Sequence, residues 1–185
     1  GMSEAVKVAL IKDRAFFEWI KANAALLAAG NMEAMQYLIK RCAELHLQHI
    51  AGGDPFEMGS SRPLDFGHWS AHKVEQLSGF NIRHGEAVAM GIALDSAYSF
   101  LEGRLEEADA KTIVAVLKAL GFSVTHPLVD IQNEESPVLK GLQEFREHLG
   151  GQLTIMLLES VGKGVEVHEL DATLLQKASE WLKAC

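Results

Sequence analysis

The segment Phe66-Gly67-His68-Trp69-Ser70-Ala71-His72 holds the first residues whose types and spacing could do chemistry. His68 and His72 stand at i and i+4, so a helix puts both imidazoles on one face. Such a pair can hold one metal ion, or one metal ion and one proton-transfer group. Two ordinary surface histidines would look the same. Further on comes His84-Gly85-Glu86, where a new helix starts. Gly85 leaves room there for a close approach, although a capping histidine after a plain loop has the same signature. Glu4 and Lys7 lie at i and i+3 on a first helix, which is also the spacing of a solvated ion pair.

The elements that must position these groups are mostly helical. Ser3 to Ala29 reads as helix, broken near Asp13. Asn31 is the N-cap of the next helix, with Met35, Leu38, Ile39, Cys42, Leu45 and His49 on one apolar face. Gly52, Gly53, Asp54 and Pro55 stop it, and Phe56–Arg62 reads as an irregular loop. A short helix over Gly67–Leu77 ends at Gly79. His84–Leu101 is apolar throughout Ala87–Leu94, the pattern of a central buried helix. Ile113, Val116, Leu117 and Leu120 mark another helix, closed by Gly121. Ser136-Pro137 reads as cap and first turn of a helix reaching Leu149. After Gly150-Gly151 the period changes to strand over Leu153–Leu158, with a turn at Gly162–Gly164 and a second strand through Val165 and Val167. Asp171 opens a terminal helix. The expected fold is mainly α, a multi-helical bundle with one late β-hairpin, in a single domain over 1–185. No Gly-rich strand-to-helix turn for a dinucleotide or phosphate is visible.

Composition narrows the function classes. The chain has 185 residues, 48% apolar and 23% charged, which is globular rather than disordered. No apolar stretch approaches the ~20 residues a membrane span needs, and no secretory signal is visible. The net charge of −8 argues against nucleic acid and anionic membrane as partners. Two cysteines, Cys42 and Cys185, make no disulfide framework and fit a reducing, cytoplasmic location. Trp19, Trp69 and Trp181 read as packing residues, Cys42 as core, and His49, His126, His148 and His168 as surface or half-buried.

Taken together, four segments carry a specific likeness. Gly1-Met2-Ser3-Glu4-Ala5-Val6-Lys7, Leu64-Asp65-Phe66-Gly67-His68, His72, and His84-Gly85-Glu86-Ala87-Val88-Ala89-Met90-Gly91 resemble the metal-site motifs of the 3-dehydroquinate synthase family, in order and spacing. The resemblance is strong over roughly 1–105 and loose beyond. It implies that Glu4, His68 and His84 are the ligands of a catalytic zinc, with positions left open for substrate oxygens. It implies that Lys7 meets the substrate and that His72 is the active-site histidine near the phosphate. Family members bind NAD in an N-terminal α/β domain, which this chain lacks. They oxidise a sugar-phosphate hydroxyl, eliminate phosphate, re-reduce the ketone and close a carbocycle.

Several substrate positions depart from the family pattern. Asp65 stands where the family has Asn, and an anion there repels phosphate unless it is protonated or paired. Valiolone-forming cyclases also place Asp there but lack the second histidine, which His72 keeps. The usual arginine is displaced, with Ser61 in its place and Arg62 following. The substrate lysine late in the second long helix is missing, with His46 nearest. The late lysine pair is replaced by Arg146 and Glu147. Either the substrate differs from the dehydroquinate precursor, or a cation such as Arg62 or Lys73 compensates Asp65. The expected function is therefore the metal-carrying half of a sugar-phosphate cyclase of unassigned substrate, inactive alone, with a homodimer among the allowed assemblies. A metal-dependent alcohol or glycerol dehydrogenase and a non-catalytic helical metal-binding module are the competing readings.

Overall fold

A central helix organises the chain in the computed structural model, which describes residues 1–51, 65–148 and 153–185, without the side chains at 49, 50 and 146–148. The helices are α1 (Met2–Lys12), α2 (Arg14–Ala22), α3 (Ala24–Ala28), α4 (Met32–Ala51), α5 (His68–Leu77), α6 (His84–Leu101), α7 (Glu107–Ala119), α8 (Lys140–His148) and α9 (Ala172–Ala184). An antiparallel hairpin, β1 (Ile155–Ser160) with β2 (Lys163–Val167), precedes α9. The mainly α bundle with one late hairpin is the expected fold.

α6 is buried without interruption from Ala87 to Ser99 and packs against α1, α5, α7, α9 and β1. A helix apolar on all sides has no solvent face, so its neighbours must surround it. At the α5–α6 crossing the backbones touch. Gly67, at φ +76°, opens α5, and its carbonyl oxygen lies where a Cβ on Gly91 would be. A Cβ on Gly67 would in turn come within 2.6 Å of the Ile92 backbone nitrogen. Two glycines facing each other are the only side-chain solution to that approach.

Asp95 locks the crossing. This fully buried carboxylate accepts the Gly67 N–H at 2.9 Å and the Trp69 indole N–H at 2.9 Å. Trp69 is accordingly a packing residue, as expected, but with its polar edge satisfied.

At the other end of the site, α1 and α2 do break at Asp13, whose extended backbone lets its side chain cap Phe16 N–H at 3.0 Å and pair with Arg41 of α4 at 2.6 Å. The hairpin turn holds the end of α1: Gly162 N–H donates to Leu10 O at 2.6 Å, and a Cβ on Gly162 would meet Arg14 N at 2.7 Å. α9 begins where Asp171 caps Leu174 N–H at 2.8 Å, while its own N–H donates to the Tyr98 hydroxyl of α6 at 2.9 Å.

Four local expectations are corrected. A second break falls at Asn23, whose amide donates to Trp19 O at 2.8 Å and so competes with the helical ladder. Ile39 is 59% exposed, not on a buried face, because α4 packs mainly on α1 and α3 and has bundle on one side alone. Ser136-Pro137 opens a 3-10 turn instead of capping α8, because the Ser136 hydroxyl is spent on Gln132 N–H and Asn133 N–H. The first strand begins at Ile155 rather than Leu153. The expected break at Gly52–Pro55, the loop over Phe56–Arg62 and the Gly150-Gly151 turn lie outside the described residues.

Burial pushes the Asp95 carboxyl up to about 7, although the Trp69 and Gly67 N–H groups act against it. Between the ordinary aspartate value and 7 the folded chain therefore holds a proton that the unfolded chain has released. Stability must fall as pH rises through that window and then level off. Denaturant unfolding at pH 5 and pH 8 should show the native chain losing roughly 2–4 kcal/mol more than Asp95→Asn over this interval. Parallel pH dependence in the two proteins would contradict the assignment.

Candidate metal centre

Three elements converge on one point. Glu4 comes from the first turn of α1, His68 from the first residue of α5, and His84 from the first residue of α6. Gly85 permits the meeting of α1 and α6, since a Cβ there would lie 3.2 Å from Ser3 Oγ. The close approach read from the sequence is present.

The geometry suits an ion better than a hydrogen-bonded cluster. Glu4 Oε1 is buried and has no hydrogen-bond partner among the described residues. It faces His68 Nε2 at 3.4 Å and His84 Nε2 at 3.3 Å. Ligands 2.0–2.1 Å from a tetrahedral zinc stand about 3.3–3.4 Å apart. Each imidazole also has its other nitrogen held. His68 Nδ1 lies 3.0 Å from Phe66 O, and His84 Nδ1 lies 3.1 Å from Glu75 Oε2. Those acceptors select the Nδ1–H tautomer and leave both Nε2 lone pairs aimed at Glu4. One ligand atom from each of the three residues lies within 4.8 Å of the others. Glu/His/His is a donor set that fits a catalytic zinc.

Charge around the site keeps Glu4 ionised. Burial works against its carboxylate, yet hydrogen bonding from His68 when its Nε2 carries a proton, together with the Lys7 ammonium, outweighs that cost and holds it at about 2. Lys7 Nζ lies 2.6 Å from Glu4 Oε2, and the lysine is 3% exposed. The lysine is thus buried and Glu4 half-buried, so the pair is not a fully solvated i, i+3 bridge. Lys7 neutralises one oxygen of Glu4 and fixes the other toward the histidines.

His72 is brought to the same place. Its ring centroid is 5.5 Å from that of His68 and 5.9 Å from that of His84. Burial and the neighbouring His68 push its imidazole below the ordinary value, against the pull of Glu75 and Asp65. Asp65, half-buried just before α5, is thus close enough to act on His72. Lys73, one candidate to compensate Asp65, is engaged by Glu144 of α8.

His46 lies farther along α4 and lines a groove of about 800 Å³ together with Glu4, Cys42, Arg83 and Phe122. Cys42, expected in the core, is instead half-buried at that groove, and burial pushes its thiol up to about 11. Arg62 lies outside the described residues, and so does the side chain of Arg146, although its backbone belongs to α8.

Two contributors escape the sequence reading. Glu75 follows His72 by three residues on α5, so helical period alone could have put it on the histidine face. Asp95 is the single carboxylate inside the apolar run of α6, and an acid in such a run needs a buried partner.

Similarity to known proteins gives the chain's family. The family model described as 3-dehydroquinate synthase C-terminal matches residues 1–140. A 3-dehydroquinate synthase from Pseudoalteromonas atlantica is 32% identical over 184 residues, covering 95% of this chain and 49% of that protein. A solved 2-epi-5-epi-valiolone synthase from Streptomyces hygroscopicus subsp. jinggangensis, with NAD+ and Zn2+ bound, matches with TM-score 0.88 at 25% identity, over 99% of this chain and 50% of that one. The chain thus spans about half the length of these relatives. With the family match over most of its length and a relative above 30% identity, the chain belongs to the 3-dehydroquinate synthase C-terminal family.

Proposed function

We propose that this chain is the metal-carrying part of an NAD- and zinc-dependent sugar-phosphate cyclase, with Glu4, His68 and His84 as the metal ligands. The observation that carries the reading is the buried Glu4 Oε1, faced by two imidazole Nε2 atoms at 3.3–3.4 Å and lacking a hydrogen-bond partner among the described residues. The zinc and NAD of the valiolone synthase support it.

Zinc held there would polarise adjacent substrate oxygens, and NAD from the other half of the protein would carry the hydride. The chain's own residues supply position and proton handling. Lys7 holds Glu4 in place through its second oxygen. His72, biased toward the neutral imidazole, can hydrogen-bond a phosphate oxygen and give or take a proton. Asp65 beside it disfavours an unpaired phosphate at that spot, which supports a substrate contacted differently from the dehydroquinate precursor. Arg62, His46 and Arg146 are proposed as further substrate contacts.

Elemental analysis with chelator competition should find about one zinc per chain. His68→Ala should weaken zinc by more than the about 10–100-fold typical of outer-shell changes. Equal metal content in both proteins would overturn the site.

Calorimetric titration of this chain with NAD should give no micromolar binding, because no Gly-rich phosphate turn is visible in its sequence. Micromolar affinity would contradict the division of labour.

In the full-length enzyme, phosphate release should be faster from sedoheptulose 7-phosphate than from the seven-carbon dehydroquinate precursor, and Asp65→Asn should shift that preference by about tenfold or more. Efficient turnover of the dehydroquinate precursor, indifferent to Asp65→Asn, would identify an ordinary dehydroquinate synthase.

A further inference from the structure

His84 belongs to two ligand sets. One is the Glu4, His68, His84 set. The other is His72, Glu75 and His84, which likewise offer one ligand atom each within 4.8 Å of one another. His72 and Glu75 stand i, i+3 on α5 and so share a face. Glu75 Oε2 is 3.1 Å from His84 Nδ1, and the rings of His72 and His84 lie nearly parallel, 28° apart in plane. His72 and His84 are both exposed, so a hydrated cation can reach them, whereas His68 is buried.

We propose that His72, Glu75 and His84 form a second, weaker divalent-cation position that shares His84 with the first. Two imidazoles and a carboxylate suit zinc, and also copper or nickel. The site is weaker for two reasons. Its ligands are more exposed and must converge, which costs side-chain freedom. A neutral imidazole also has one lone pair. While His84 Nε2 serves the first ion, Nδ1 carries the proton donated to Glu75. A second ion at Nδ1 takes the place of that proton, which leaves to solvent as the cation binds, so that His84 bridges the two ions. Zinc in excess therefore captures His72 and Glu75, removes His72 from the substrate side and inhibits. This consequence rests on the proposed role of Glu4, His68 and His84.

Equilibrium dialysis of this chain against zinc tests it. The wild type should take up zinc in two steps, the second at least about tenfold weaker. His72→Ala, at an exposed position, should keep the tight step and lose the weak one. Glu75→Gln, which preserves an acceptor for His84 Nδ1–H but removes the anion, should lose the weak step as well. His68→Ala should lose the tight step and keep the weak one. Saturation of the wild type in one step overturns the proposal, as does a weak step that survives in both His72→Ala and Glu75→Gln. A wild type showing the weak step without the tight one would sink the primary site and leave this position standing.

Discussion

The contact between Gly67 and Gly91 is the constraint on which the site depends. It lets the start of α5 lie directly on α6, at a separation no side chain could occupy. His68 is the next residue, so the same contact sets where one ligand stands relative to the helix that begins with His84. The buried Asp95 secures the arrangement by taking one N–H from each side of His68. A buried carboxylate costs free energy unless its hydrogen bonds are made. Here both donors come from the segment it must hold, so its burial cost becomes specificity for a single position of that segment.

A second layer of constraint acts on the ligands themselves. Neither histidine is free to rotate, because Phe66 O and Glu75 Oε2 occupy their Nδ1 atoms. Glu4 is not free either, because Lys7 holds its other oxygen. The three atoms thus converge through contacts made behind them. This is preorganisation, and it explains how three helix N-terminal turns form a centre. The cost is concentration of like groups: three imidazole rings lie within 6 Å of one another. Burial, together with that crowding, biases His72 toward its neutral form.

Much of this was legible in the sequence. The uninterrupted apolar run of α6 announced a central helix, since only burial on all sides accommodates it. The breaks at Asp13 and the caps at Asn31 and Asp171 were readable because capping is local: a short polar side chain satisfies an N–H three residues away. The grouping of Glu4, His68, His72 and His84 followed from the resemblance of their segments, in order and spacing, to the motifs of the 3-dehydroquinate synthase family. Period alone left each of them with an ordinary surface reading.

Tertiary structure decided what depends on partners distant in the chain. Asp95 is 28 residues from Gly67, and nothing local says that its oxygens meet that N–H and the Trp69 indole. Ile39 sits on an apolar stripe that sequence alone would bury, yet α4 packs on the bundle through Leu38, Met35, Cys42 and Leu45, and Ile39 at the edge of the stripe faces outward. Lys7 and Glu4 read as a solvated pair until the packing of α1 in the bundle buries the lysine. Ser136 looked like a helix cap until its hydroxyl was claimed by the backbone before it. Residue type and period determine which groups can do chemistry and which elements carry them. Which groups are desolvated, paired and aimed at one another is settled by long-range packing, whose energies no short window of sequence contains.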